Sequence, residues 1–113
     1  MPLFSAGDLP TVGERVMQGI RDSGHFEGMS ERNRQVLAIA EECGEFVGAF
    51  RRWSGQARRT GTWQQMEDEL ADIIITAFAT AYVFDMDIAV IIERKLGVIF
   101  HRGWKGPSHD VPT

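Results

Sequence analysis

The segment 73–84 constrains the fold most strongly, because it is apolar on nearly every side when it is drawn as an α-helix. A helix of that kind is usually buried against several neighbours at once. The segment is too short to cross a bilayer, which needs about 20 apolar residues. It carries more apolar surface than one small bundle covers. The sequence therefore predicts a helical domain that is completed as a homodimer or homotetramer.

Glycine and proline residues divide the chain into four segments with helical periodicity. These predict helices at about 9–23, 31–53, 63–84 and 88–102, with Ser30, Thr62 and Asp87 as N-cap residues. No segment alternates like a strand, so the predicted fold class is all-α, a four-helix bundle. One apolar stripe on the second helix is predicted to face the core, with its cysteine as a small buried residue. The stripe consists of Val36, Ala40, Cys43, Val47 and Phe50.

Composition limits the number of domains and the kinds of partner. A chain of 113 residues is short for more than one domain, so we predict a single domain over 1–113 with flexible tails at 1–8 and 105–113. The formal net charge of −4 argues against a nucleic-acid polymer as the main partner. The single cysteine cannot form an internal disulfide. The N-terminus has no basic and apolar leader, so we expect a cytoplasmic protein that does not bind membranes.

Carboxylates are concentrated on the second and third predicted helices. A spacing of three residues places two side chains on one helix face, about 5–6 Å apart. Two facing clusters of this kind form a site with oxygen ligands alone, which suits Mg²⁺ or, as a substitute, Mn²⁺. No histidine completes a Glu-x-x-His motif, which argues against a ferritin-like di-iron site. The alternative is a solvated acidic helix face. The acidic residues are Glu41, Glu42, Glu45, Glu69 and Asp72.

The order Glu-Glu-x-x-Glu followed by Glu-x-x-Asp resembles that of the MazG-like all-α nucleoside triphosphate pyrophosphohydrolases. The similarity extends over about 34–104 and includes the stretches AEECGEFVGAFRRW and EDELADIIITAF. It implies a MazG-like bundle that assembles into an oligomer. It also implies Mg²⁺-dependent cleavage of a nucleoside triphosphate to a monophosphate and pyrophosphate, in nucleotide-pool house-cleaning. The implied metal ligands are Glu42, Glu45, Glu69 and Asp72, with Glu41 as a flanking acid that binds a second metal or positions water.

The resemblance also implies a phosphate-binding role for Lys95 and Arg102, which match basic residues of the family's last helix. Ile99 stands between them where relatives often have Asn, so the sequence departs from the family pattern there. Trp53 is a candidate platform for the nucleotide base, and Arg52 is a candidate phosphate ligand. Each role has an alternative. Lys95 and Arg102 could simply extend into solvent at the edge of the helix, and Arg52 could be solvated in the same way. Trp53 could be a core or interface residue.

Two other functions are compatible with the same residues. The same fold could act on a different nucleotide, such as phosphoribosyl-ATP or a single pyrimidine deoxynucleotide. A non-catalytic helical dimer, in which the acidic stripes hold a structural cation, is the alternative from another class, and Ile99 favours it. Metal-dependent turnover separates the two classes, because a structural cation raises the melting temperature without releasing phosphate.

Overall fold

The computed structural model describes residues 6–24 and 29–103, and within these ranges the chain is helical without a strand. The predicted all-α class is therefore confirmed. A short 3-10 helix leads into four α-helices. The 3-10 helix is Ala6–Thr11, and the α-helices are α1, Val12–Ser23; α2, Glu31–Trp53; α3, Trp63–Val83; and α4, Ile88–Arg102.

The helix bounds agree with the predicted ones except at the start of the first helix and the end of the third. The α-helix was expected from about residue 9 and begins at Val12, because Pro10 disfavours the α conformation in the residue before it. Residues 6–8, predicted as part of a flexible tail, belong to the 3-10 helix instead. The predicted tail at 105–113 lies outside the described residues. Helix α3 ends at Val83, one residue earlier than predicted.

The predicted N-caps stand where the helices begin. The Thr62 hydroxyl accepts a hydrogen bond from the Gln65 N–H at 3.1 Å, and the Gln65 side chain accepts one from the Thr62 N–H at 2.8 Å. This reciprocal pair is a complete capping box, which satisfies two backbone donors at the start of α3. The Asp87 carboxylate caps α4 by accepting from the Val90 N–H at 3.2 Å. Ser30 occupies the N-cap position of α2 without a side-chain bond.

Helix α3 packs between α1 and α2 and forms the centre of the structure. Its contact with α1 is closest at Gly13, where a Cβ would lie 2.4 Å from the carbonyl oxygen of Phe78. Most of the residues buried at these contacts are alanines, which allow the helix axes to approach closely. The buried apolar residues are Met17, Ala38, Ala49, Ala79 and Ala81.

The predicted core-facing stripe of α2 is wrong. Its five residues are all exposed, and Val36 and Val47 keep 52% and 54% of their surface. Cys43, expected to be buried, is exposed as well. The buried residues on the face of α2 that meets α3 are instead Gln35, Ala38 and Ala49, and the two alanines permit closer packing than the branched residues of the stripe.

One bidentate ion pair joins the end of α1 to the start of α2. The Arg21 Nε and Nη2 atoms donate to the two carboxylate oxygens of Glu31 at 2.6 and 2.8 Å. The Arg21 guanidinium also lies 5.6 Å from the centre of the Tyr82 ring on α3. The pair raises the pKa of Arg21 and lowers the pKa of Glu31. Arg21 thus connects three helices.

Helix α4 departs from the bundle. A bend of 111° separates it from α3, and Asp85 in the connection has a positive φ of 59°. None of the residues of α4 is buried. Among the described residues, no single helix combines the length and apolar composition needed to cross a membrane; α3 and α4 meet those criteria only when joined across their bend.

Candidate functional site

The acidic site begins with Glu42, which lies on the side of α2 that meets α3. It is one turn from Ala38 and two turns from Gln35 and Ala49, the buried residues of that face. Glu42 is half-buried. Glu41 and Glu45 are exposed, so α2 presents one carboxylate inward and two at its rim.

Helix α3 supplies the other carboxylates. Glu69 is half-buried and Asp72 is exposed, and their spacing of three residues places both on the side of α3 near Glu42. One oxygen of each of the three residues lies within 4.8 Å of the others. We call Glu42, Glu69 and Asp72 the acidic triad. It brings together three of the four predicted metal ligands from the two predicted clusters.

The electrostatics of the triad show that its charges are crowded. Burial raises the pKa of Glu42, and the charges of Asp72, Glu69, Glu45 and Glu41 raise it further. Burial and the charges of Asp72 and Glu45 raise the pKa of Glu69 in the same way. Carboxylates that repel one another favour any species that neutralises them, whether a proton or a cation. The charge of Glu45, the fourth predicted ligand, contributes to the raised pKa of both Glu42 and Glu69.

The donor set fits a hard divalent cation. The triad offers carboxylate oxygens and no nitrogen or sulfur, and three ligands leave coordination positions for water or phosphate oxygens. Because one triad residue comes from α2 and two from α3, the packing of these helices fixes the separation of the ligands. The predicted Mg²⁺ or Mn²⁺ ion is compatible with this chemistry.

Arg52 is the predicted phosphate ligand that lies beside this cluster. Its positive charge lowers the pKa of Glu69, opposing the effect of burial and of the neighbouring acids. Its guanidinium packs on α2 over Gly48, and Nη1 is 3.3 Å from the position that a Cβ of residue 48 would take. The sequence interpretation missed Gly48. Its spacing of four residues from Arg52, which places both on one helix face, is the signal that could have found it.

An aromatic cluster marks the junction of α2 and α3. The rings of Trp53 and Trp63 meet edge to face with centroids 5.1 Å apart, and Phe50 lies 6.3 Å from Trp53. Trp53 and Trp63 are 45% and 56% exposed, so the cluster presents ring surface to solvent. Trp53, the predicted base platform, is therefore held by a second tryptophan while remaining accessible.

The remaining predicted substrate ligands lie on α4. Lys95 and Arg102 are both exposed there, and Ile99 between them is half-buried. Neither basic residue is among the charges that shift the pKa of Glu42 or Glu69, whereas Arg52 is. Within one chain, the basic residue whose charge affects the pKa of the triad is thus Arg52 on α2.

Comparison with known proteins gives no match to any protein-family model, curated protein or solved structure.

Proposed function

We propose that the protein is a Mg²⁺-dependent nucleotide pyrophosphohydrolase that cleaves a nucleoside triphosphate to a monophosphate and pyrophosphate. The observation that carries this proposal is the acidic triad, in which oxygens from two helices lie within 4.8 Å of one another. The resemblance of the acidic pattern to MazG-like enzymes supplies the reaction. The same proposal includes a MazG-like arrangement of the helices and a cytoplasmic role in nucleotide-pool house-cleaning.

The carboxylates have distinct tasks in this proposal. Glu42, Glu69 and Asp72 hold the cation, and Glu45 completes the ligand set from the rim of α2. Glu41 stands next to the site and orients water or supports a second cation. A bound divalent cation supplies charge neutralisation and Lewis acidity toward phosphate oxygens and bound water.

Basic and aromatic residues position the nucleotide. The Arg52 guanidinium, beside Glu69, meets phosphate oxygens and reduces the repulsion between the substrate and the acidic cluster. Exposed ring surface at Trp53 and Trp63 offers a stacking face for the base. Lys95 and Arg102 add positive charge toward the phosphates from α4. In the proposed reaction, the water oxygen bonds to phosphorus and loses its proton to solvent, while the anhydride P–O bond breaks and its electron pair leaves with the departing phosphate group.

The test is product analysis on a panel of ribo- and deoxynucleoside triphosphates with Mg²⁺, with Mn²⁺ and with EDTA. Ion-exchange chromatography separates the products, and we expect monophosphate and pyrophosphate only when metal is present. Diphosphate and orthophosphate would contradict the assigned bond. Turnover of phosphoribosyl-ATP alone would keep the reaction class and change the substrate.

A pair of variants on α3 ties the activity to the triad. Glu69→Gln removes a triad ligand, and Glu67→Gln makes the same chemical change at an exposed position on the same helix. We expect Glu69→Gln to lose metal-dependent turnover and Glu67→Gln to keep it. Equal activity of the two variants would remove Glu69 from the site.

A cation-binding module without catalysis is the second candidate. Two observations favour it. Within one chain, Lys95 and Arg102 do not shift the pKa of Glu42 or Glu69. Ile99 also stands where the MazG-like relatives often have Asn. The signature of this module is a melting temperature that rises with Mg²⁺ while no nucleotide in the panel is cleaved. Thermal unfolding with and without Mg²⁺, on the samples used for product analysis, separates the two functions.

A further inference from the structure

The end of α2 and the loop that joins it to α3 concentrate positive charge in an acidic chain. The chain carries a formal net charge of −4, yet residues 46–66 contain four arginines and no aspartate or glutamate. We call these four residues the arginine cluster: Arg51, Arg52, Arg58 and Arg59. Arg52 is half-buried and the other three are exposed. Within the described ranges 6–24 and 29–103, none of the four forms an ion pair with a carboxylate. The cluster is therefore a local positive surface on an acidic protein.

Hydrogen bonds hold the loop against the end of α2. The Gln56 N–H donates to the Arg51 carbonyl at 2.8 Å, and Arg51 Nη2 donates to the Gln56 carbonyl at 3.3 Å. Further along the loop, the Gly61 N–H donates to the Arg52 carbonyl at 3.2 Å. Two residues span at most about 7 Å, so the Cα atom of Arg59 lies no further than that from the Cα atom of Gly61. The arginines of the loop and of the helix end thus belong to one surface.

The aromatic cluster lies at the same end of the structure. Trp53 follows Arg52 directly, and Trp63 comes two residues after Gly61. Phe50 is 39% exposed, and the two tryptophans are exposed further. Their edge-to-face contact holds both tryptophan rings on helix ends rather than on the loop. This end of the molecule therefore combines guanidinium groups with fixed, solvent-accessible rings.

Guanidinium groups and exposed rings together match a partner that carries both phosphates and unpaired bases. Arginine donates two parallel hydrogen bonds to phosphate oxygens, which a neutral side chain does not. Aromatic faces stack on bases of any sequence, because every base has a π-face. In a duplex the bases already stack on one another, so a single strand fits this surface better. A lipid surface is bound by a long amphipathic helix, whereas these arginines lie on a loop and a helix end.

We infer that the arginine cluster and the aromatic cluster form a binding surface for single-stranded nucleic acid. The strand's phosphates run along the arginine cluster, and a base stacks on Trp63, the more exposed of the two tryptophans. The net charge argues against a polymer that covers the whole protein, but not against a strand that meets this end alone. The inference goes beyond the proposed reaction, which has no role for Arg51, Arg58 or Arg59. It requires neither a cation nor turnover, so binding is measured in EDTA, where that reaction does not run.

Fluorescence anisotropy with a labelled oligothymidylate of about 12 nucleotides tests the binding. We expect saturable binding to the full chain. With three or four phosphate contacts, the logarithm of the affinity should fall against the logarithm of salt concentration with a slope of about −2 to −3. An abasic strand of equal length keeps the phosphates and should bind about fivefold more weakly or worse. Equal affinity for the two strands, or no binding of the oligothymidylate, would overturn the inference.

Two arginine variants test which surface binds. Arg59→Gln and Arg94→Gln remove the same charge from exposed positions, one in the arginine cluster and one on α4. We expect Arg59→Gln to weaken binding about threefold and to reduce the salt slope by about 0.7, the value of one phosphate contact on a single strand. Arg94→Gln should bind as the parent protein does. Equal effects of the two would overturn the assigned surface, and thermal unfolding checks that both variants are folded.

A tryptophan variant tests the stacking. Trp63→Leu should bind the oligothymidylate and the abasic strand with more nearly equal affinity, because the ring that distinguishes them is gone. Arg59→Gln should keep the parent protein's preference between the two strands, since it removes a phosphate contact only. A Trp63→Leu variant that retained the full preference would contradict stacking on this ring.

Two other partners are tested on the same protein. Polyglutamate carries negative charge without bases, so at equal charge concentration it should displace the labelled strand far less than unlabelled oligothymidylate does. Equal displacement would overturn the inference in favour of an acidic peptide. Sedimentation with phosphatidylglycerol vesicles, in a protein that does not bind the strand, would overturn it in favour of a lipid surface.

Discussion

The guanidinium of Arg52 rests over Gly48, one helical turn away, with Nη1 3.3 Å from the point where a Cβ of residue 48 would stand. The absence of a side chain at Gly48 therefore leaves room for Arg52 along α2. The charge of Arg52 reaches Glu69 from this position and lowers the pKa of that residue. The relationship links a glycine with no chemistry of its own to the electrostatics of the acidic triad.

Substitution of Gly48 should disturb this position. In Gly48→Ala, the methyl group pushes the guanidinium away from Glu69. We expect KM for the nucleotide to rise roughly fivefold, equivalent to about 1 kcal/mol. Mg²⁺ binding to the nucleotide-free protein should tighten, because a nearby positive charge has withdrawn. Steady-state kinetics and calorimetric Mg²⁺ titration measure the two effects.

Gly44→Ala is the control for that experiment. Gly44 is one turn earlier on α2, and a Cβ there would meet nothing within 4 Å. The helix should gain about 0.5–1 kcal/mol from the replacement of an interior glycine, with KM and Mg²⁺ affinity unchanged. Identical kinetic effects of the two substitutions would show that Gly48 does not act through Arg52.

Neutralising Asp72 should separate activity from stability. Asp72→Asn removes a triad ligand, and we expect Mg²⁺-dependent turnover to fall at least about 100-fold. In EDTA the variant should melt at a higher temperature than the parent protein, because the charge of Asp72 raises the pKa of both Glu42 and Glu69. Activity assays and thermal unfolding of the same preparation measure both. A fall in activity together with a lower melting temperature in EDTA would indicate a structural role.

The metal-free protein should lose stability as the pH rises. Glu42 and Glu69 have pKa values above the usual 4.5, so in the folded state they retain protons that the unfolded chain has released. Their contribution is fully present below pH 4.5 and is lost as the pH rises through the folded values. Mg²⁺ should restore stability in the upper range. Urea unfolding at a series of pH values, in EDTA and in Mg²⁺, measures this loss and recovery of stability. A variant with all three triad residues neutralised should no longer be stabilised by Mg²⁺.

Glu31 should show the opposite pH dependence. The hydrogen bond from Arg21 lowers the pKa of Glu31, so the folded state holds fewer protons there than the unfolded chain. Its contribution is present above the usual value of 4.5 and is lost as the pH falls through the lowered value. Glu31→Gln should therefore lower the melting temperature at pH 7, and the effect should shrink as the pH falls below 4.5. An exposed substitution, Glu67→Gln, provides the comparison.

Local signals in the sequence were sufficient to predict the four α-helices and six of their eight ends. Thr62, Gln65 and Asp87 form the capping bonds that their residue types predict, since caps depend on neighbours within one turn. The spacing of the acids was also sufficient to bring Glu42 together with Glu69 and Asp72, because one helix pairing aligns both clusters.

The face of α2 could not be predicted in the same way. Hydropathy ranks Val36 and Val47 above Ala38 and Ala49, yet the alanines are buried and the valines are exposed. Apolar periodicity selects the more hydrophobic stripe, whereas the face that meets α3 combines two alanines with Gln35 and Glu42 and therefore does not stand out in hydropathy. The contact between Gly48 and Arg52 was missed because it depends on a side-chain rotamer rather than on hydropathy.

The close approach at Gly13 has a consequence for sequence variation. A Cβ there would lie 2.4 Å from a carbonyl oxygen of α3, and backbone cannot yield as a flexible side chain does. In a saturation library selected for folded protein, every alternative at residue 13 should disappear, alanine included. Gly19, further along the same helix, has nothing within 4 Å and should tolerate alanine. Two chemically identical glycines on one helix would thus differ in their tolerance of substitution: Gly13 is fixed by the backbone of α3, and Gly19 is replaceable.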